Sequence, residues 1–178
     1  GRIAGIGLTP LGWARLVGGV AADKADHVVD LRDVYDGVDA LLDAIGGAED
    51  EMRIVALLDT WLNGIVRPLP TASALTRAAH HALLDPATDT VEAFAAALGI
   101  THRQLSTICR RDFGFAPKLL LRRQRFLRTL GTMRERPEQP WASLIDPSFT
   151  DQSHFIREFR RFMGMTPNAY FAMPRLML

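Results

Sequence analysis

Two stretches of this chain repeat one another. Arg110-Arg-Asp-Phe-Gly-Phe-Ala-Pro117 and Arg160-Arg-Phe-Met-Gly-Met-Thr-Pro167 share an arginine pair, a glycine and a proline at a constant offset of 50 residues. A repeat of this period marks two copies of one supersecondary unit. Whatever surface one copy presents, the other is expected to present again.

The later copy shows what that surface is. Phe155, Ile156, Phe159, Phe162 and Met163 recur at three and four, which gathers them on one stripe of a helix. Gln152, Ser153, Arg157, Arg160 and Arg161 fall on the opposite face. Thr150 and Asp151 stand where an N-cap accepts the free amides of the first turn, and Gly164 stands where a helix stops in the left-handed conformation.

The earlier copy shows what precedes such a helix. Residues 90–98 are small and apolar and predict a helix, Gly99-Ile100 a tight turn, and Thr101 the cap of a helix from His102 to Asp112. Leu105, Ile108 and Cys109 take its inward places, while Ala95 and Ala96 suit a close crossing of two backbones. Helix, short glycine-containing turn and helix make a helix-turn-helix, whose second helix enters a nucleic-acid groove.

The polar groups suit that task. An arginine forks onto guanine, a glutamine onto adenine, serine or threonine onto either, and flanking arginines neutralise phosphates. One polar face alone reads better as a solvated surface; two at a fixed period favour a shared ligand.

At these residues the chain resembles the AraC-type family of bacterial transcription regulators. The likeness covers about Leu75 to Ala172 and is most specific between Phe149 and Pro167, in the run Phe-x-Asp-Gln-Ser-His-Phe and the closing Gly-x-Thr-Pro. The resemblance implies a seven-helix domain in which a long helix joins two helix-turn-helix units, with both recognition helices in successive major grooves on one DNA face. The joining helix would run from Pro117 to about Arg134, with Leu119, Leu120, Phe126, Leu127 and Leu130 inward and Arg122, Arg123, Arg125 and Arg128 largely outward. By the same resemblance Arg103, Ser106 and Thr107 in the first unit and Gln152, Ser153 and Arg157 in the second read bases. His102 and His154 lie at the edges of these sets, as contacts or as exposed neighbours of the caps. Arg110, Arg111, Arg160 and Arg161 are expected to hold phosphates or brace neighbouring helices.

Two departures from the family pattern bear on the second unit and the first. Pro147-Ser148-Phe149 stands where a glycine usually precedes the phenylalanine, and the helix from Trp141 to Ile145 is about a residue short, so an irregular first helix is expected there. Thr107 stands where a basic residue is common.

Charge separates the two halves. Residues 1–88 hold seven Lys and Arg against twelve Asp and Glu, a balance of −5; residues 89–178 hold fourteen against eight, a balance of +6. The net charge of +1 hides this division. All but one of the cations in the basic half are arginines, which suit bidentate phosphate and guanine contacts.

Before the repeat, residues 2–9 alternate like a strand, and Pro10 opens a short helix through Val17. A lone strand needs a partner, so the chain is expected to be a piece of a longer regulator, with residues 2–9 the last strand of the β-barrel sensor that precedes this domain in related proteins. Helix is then predicted over Ala21 to Asp30, ahead of an extended crossing at residues 28–31. Further helices are predicted over Asp36 to Ile45 and Glu49 to Ile65, the latter with Met52, Val55, Leu58, Leu62 and Ile65 on one face and Trp61 beside it. Such helices pack within one chain or across a dimer. Arg67-Pro-Leu-Pro70 cannot continue a helix and marks a change of direction; Thr71 or Ser73 caps the next helix, which Asp85-Pro86 closes.

Other chemistries find little support. A single cysteine, inward on its helix, excludes an internal disulfide framework. His80 and His81 are adjacent rather than four apart, so they do not share a metal-binding face. No glycine-rich phosphate loop, paired carboxylates or triad spacing appears, and no apolar run approaches the roughly 18 residues of a membrane span.

The sequence therefore predicts a mostly α, cytoplasmic, non-enzymatic protein without cofactor or metal. Its fold is a seven-helix double helix-turn-helix DNA-binding domain, preceded by a short strand and a helical region left from a sensor or dimerisation domain. Residues 1–68 form the latter and 69–178 the former, with helix-turn-helix units at about 90–112 and 139–163 around the joining helix. The expected partners are double-stranded DNA, RNA polymerase and a second copy met through the N-terminal half; a small-molecule effector is left open. The competing reading is a helical protein-interaction module whose arginine surface meets an acidic protein.

Overall fold

The computed structural model describes residues 5–68 and 73–173. Among these the chain is helical, with no strand. Gly5 to Thr9, the described part of the expected strand, is irregular and exposed. Nothing among the described residues lies beside it as a strand partner, so its alternating pattern has no sheet to serve.

Helix α1 (Pro10–Leu16) begins behind Thr9, whose hydroxyl accepts from the Gly12 amide at 3.0 Å, with Pro10 at the first helical position. The helix predicted over residues 21–30 is absent. A 3-10 turn at Ala21–Asp23 and a second at Leu31–Asp33 replace it, and Asp26 lies between them in the left-handed region at φ 59°. The segment carries aspartates and small residues but no apolar stripe to hold a longer helix down. Helix α2 (Asp39–Gly46) starts three residues later than expected, since Gly37 is left-handed at φ 73° and Val38 caps the helix.

Helix α3 (Glu51–Ile65) follows, its N-cap Asp50 accepting from the Arg53 amide at 2.7 Å. Its inward side differs from the predicted stripe. Ile54 is the buried residue, whereas Met52 and Val55 are 75% and 57% exposed. Trp61 meets Tyr35 edge-on, and Arg15 and Arg67 tie the end of α3 to α1 by reciprocal bonds: Arg67 N to Arg15 O at 3.0 Å and Arg15 Nε to Arg67 O at 2.9 Å.

Helix α4 (Ser73–Leu84) comes next, ahead of the basic half. Half of the proline linker, Leu69 and Pro70, and the Thr71 cap lie outside the described residues. Helices α5 (Val91–Leu98), α6 (His102–Phe113) and α7 (Pro117–Glu135) succeed it within a residue or two of expectation. The next element is a 3-10 turn at Trp141–Leu144, then α8 (Gln152–Met163) and α9 (Pro167–Ala172). The irregularity foreseen before the second recognition helix thus takes the form of a 3-10 turn. Pro140 and Pro147 bracket it, and a proline drives the residue before it out of the helical region, so no two-turn α-helix fits between them.

Two apolar cores sit on α7. Ala79, Leu83, Phe94, Ala95, Leu105, Ile108 and Cys109 gather around Leu120 and Leu121 near its start. Phe149, Phe155 and Phe159 gather around Phe126, Leu130 and Met133 further along. At about 1.5 Å per residue the 19 residues of α7 span roughly 28 Å, enough to carry one core at each end. Ala95 is buried at the α5 crossing, but Ala96 is exposed; Leu127, expected inward, is 46% exposed.

The N-terminal segment is docked on the first of these units. Helix α1 packs against α4 and α6, and the turn at Ala21–Asp23 packs against α6. Gly114, just past α6, is left-handed at φ 83°, and a Cβ there would come 3.3 Å from both Ala21 O and the Ala25 Cβ. Only glycine meets both demands at that point.

Candidate nucleic-acid interface

The two polar helices are built alike. Thr101 caps α6 in a capping box: its hydroxyl accepts from the Gln104 amide at 3.3 Å, while the Gln104 side chain accepts from the Thr101 amide at 2.9 Å. Asp151 caps α8 by accepting from the His154 amide at 2.6 Å. Gly114 and Gly164 end the two helices left-handed, at φ 83° and 72°, and Pro117 and Pro167 start the helices that follow. Both apolar stripes are buried: Leu105, Ile108 and Cys109 on α6, Phe155 and Phe159 on α8.

What remains is uncovered. On α6, His102, Arg103, Thr107 and Arg110 are exposed and Ser106 is half-buried. The Thr107 hydroxyl donates back to the Arg103 carbonyl at 3.0 Å. Arg111 is less free, because Asp112 takes its Nε at 2.5 Å and its Nη2 at 2.7 Å, and the Thr76 hydroxyl donates to the same carboxylate at 2.8 Å. On α8, Gln152, Ser153, Arg157, Arg160 and Arg161 are exposed. His154 is half-buried edge-on to Phe149, and its Nδ1 faces the Thr150 amide at 3.4 Å.

Helix α7 divides the surroundings of α8. Its Lys118, Arg122 and Arg125 line a cleft with His154 and the start of α5 at Thr90. On its other side Arg123, Leu127 and Phe115 line a groove of about 390 Å³ with Arg161, Phe162 and Met163, the far end of α8. Recognition helices insert their N-terminal residues into the groove. Arg161 therefore lies at the end of α8 remote from its leading residues, while Gln152, Ser153 and Arg157 lie at or near the leading end.

Sequence reasoning missed Glu158. It is 8% exposed, on the apolar side of α8, and Arg122 of α7 clasps it, Nε to Oε2 at 3.0 Å and Nη2 to Oε1. Arg122 is thus turned to α8 rather than outward. The signal was present: a carboxylate three residues after Phe155, on a stripe otherwise apolar, requires a buried partner.

Cys109 is fully buried, and burial, with Asp112 adding to it, pushes its thiol up to about 12, so no thiolate forms near neutrality. His80 is half-buried near Phe113, and burial, aided by His81, lowers its pKa. Among the described residues no group of His, Cys, Asp and Glu side chains could hold a metal ion, and no helix is long and apolar enough to cross a membrane.

Helix, left-handed glycine turn and a second helix with an uncovered polar face, as in α5 and α6, is the form of a helix-turn-helix, a DNA-binding class of fold. A family model described as a helix-turn-helix domain matches residues 94–173. The match is to an AraC-type helix-turn-helix model and is consistent with the C-terminal DNA-binding domain of that family. Comparison with curated proteins and with solved structures gives no match.

Proposed function

We propose that this protein regulates transcription by binding a specific double-stranded site with both units, α6 and α8 entering successive major grooves. The observation that carries this reading is the duplicated frame: two helices each with a side-chain N-cap, the same left-handed glycine stop and the same proline restart, each leaving a polar face uncovered. One such helix is a surface; two in one repeat are a two-groove reader.

In this reading Arg103, Ser106 and Thr107 on α6, and Gln152, Ser153 and Arg157 on α8, face base edges, with His102 and His154 beside them. Arg110 and Arg160 neutralise phosphates. Arg111 and Arg161 serve chiefly as braces, which their positions against Asp112 and behind α7 favour. Residues 69–178 are the DNA-binding part, and residues 1–68 supply effector response, dimerisation or polymerase contact.

Selection of bound fragments from random duplex DNA tests the proposal. A two-part site is expected, with half-sites about 10 base pairs apart. Five extra base pairs between the halves turn the second groove to the opposite face, so affinity falls to that of one half-site. Log affinity should fall with log salt at about 0.9 per phosphate neutralised. Equal binding to selected and scrambled duplexes, with tighter binding to an acidic protein, would replace this reading by a protein-interaction module.

A further inference from the structure

The groove between α7 and the far end of α8 is open to solvent. Phe115, Leu127, Phe162 and Met163 give it apolar walls, and Arg123 and Arg161 line it with them. Arg123 stands 5.8 Å from the centre of the Phe115 ring. Neither guanidinium meets a carboxylate at ion-pair distance among the described residues, although Asp26 lines the same groove. This is an apolar trough with unspent positive charge.

The acidic half of the chain carries the complementary shape. On α3 the exposed residues Met52, Val55 and Asp59 recur at three and four, and Glu51 lies four before Val55. Neither Glu51 nor Asp59 forms an ion pair among the described residues. At about 1.5 Å per residue, the stripe from Met52 to Asp59 is about 10 Å long. The α7 wall of the groove, from Leu119 to Leu127, is about 12 Å long by the same measure. Within one chain α3 packs mainly on α2 and lines no part of the groove, so in this fold the two surfaces meet only between copies.

Contiguous apolar surface rimmed by charge marks a protein contact, and a helix laid in a groove is a recurring form of one. We propose that α3 of one copy of this chain docks in the groove of a second. Met52 and Val55 would cover Leu127 and Phe162, with Asp59 set against Arg123. Formed twice about a two-fold axis, the contact closes a dimer. It joins the acidic half of each chain to the basic half of the other, which gives the division of charge a use. The proposal does not rest on the duplex reading, since none of these residues lies at the leading end of α6 or α8.

Sedimentation equilibrium of the 178-residue chain, between about 10 µM and about 1 mM, tests it. The parent is expected to associate across that range. Arg123→Glu and Asp59→Arg, both at exposed side chains, should each weaken association at least about tenfold, because each sets like charges against one another. An equimolar mixture of the two variants should regain it, because the reversed charges then face each other. A parent still monomeric at about 1 mM would overturn the proposal. So would an Arg123→Glu chain that associates like the parent, as pairing of α3 with α3 would give, or a mixture that stays dissociated. None of these outcomes bears on duplex binding.

Discussion

Arg122 on α7 holds Glu158 on α8 through both carboxylate oxygens, one at 3.0 Å, and this contact joins α8 to the helix on which both cores sit. In the first unit the position 50 residues earlier is Ile108, buried in the apolar core. The repeat therefore keeps the geometry and changes the means: α6 is seated by packing and the hydrogen bond from Thr76 to Asp112, α8 by packing and an oriented ion pair.

Removing one partner of that pair leaves a charge in poor solvent. Because the Arg122 side chain is 31% exposed, water can relieve part of the loss. Glu158→Ala is expected to destabilise by about 2 to 3 kcal/mol, below the range for a fully buried pair. The double change Arg122→Met with Glu158→Leu should recover most of it. Urea unfolding of the three variants decides the matter; an unchanged midpoint for Glu158→Ala would show that the pair contributes nothing.

The two glycine stops differ in what surrounds them. Both are left-handed, so alanine at either is strained by about 1 to 2 kcal/mol. Nothing lies within 4 Å of a Cβ at Gly164, whereas one at Gly114 meets Ala21 O and the Ala25 side chain at 3.3 Å. Gly114→Ala should therefore cost more than Gly164→Ala in thermal unfolding, and proteolysis within residues 20–30 should speed up in that variant alone. Equal losses, with no change in proteolysis, would mean that the N-terminal segment does not rest on α6 in solution.

Much of this was legible in the chain itself, because capping is local chemistry. Gly99, Thr101, Asp151 and Gly164 mark their helix ends from sequence and do so in the fold. Inward faces were harder where an element has little to pack on. On α3 the apolar residues Met52, Ile54, Val55, Leu57 and Leu58 support more than one stripe, and only tertiary contact chooses Ile54 over Met52 and Val55. Residues 21–30 were misread because alanines and aspartates permit a helix without supplying a face to anchor one. Glu158 was overlooked because its partner lies 36 residues away on another helix. The polar faces of α6 and α8 were visible from spacing, but which arginines are free to meet DNA was not, since that depends on Asp112 and on the groove behind α7.

Arg157 and Arg111 make a matched contrast. Arg157 is exposed on the polar face of α8, and Arg157→Ala is expected to cost about 1 to 3 kcal/mol on the selected site while relaxing one base position. Arg111 is committed to Asp112, so Arg111→Gln should lower folding stability and leave the salt slope of duplex binding nearly unchanged. Arg110→Gln, by comparison, should reduce that slope by about 0.9. Loss of affinity on all sequences alike in Arg157→Ala would assign Arg157 to phosphate instead.

Cys109 offers a clean report on the first core. Its thiol is fully buried and raised to about 12, so it should resist iodoacetamide at pH 8 for as long as the unit stays folded and react promptly in denaturant. A raised acid pKa adds stability below the unfolded value near 9 that is lost as pH climbs through the folded one. Labelling of the native chain at the rate of a free thiol would mean that α6 opens readily from α4 and α7.

His80 sets a pH dependence of the opposite sense. Burial first, and the neighbouring His81 second, hold its imidazole below the usual value of 6.5. The folded state therefore prefers the neutral ring, and the unfolded chain binds the extra proton first. The contribution to stability is complete above about pH 6.5 and is lost as pH falls through the lower, folded value. The melting temperature should accordingly drop as buffer is taken from pH 7.5 towards 5, and His80→Gln, which cannot be protonated, should flatten that part of the curve. His81→Gln serves as the control, since His81 is exposed and should change the slope far less. Should both variants keep the parent's full dependence, the titrating group lies elsewhere, and His80 packs beside Phe113 without any cost to its charged form.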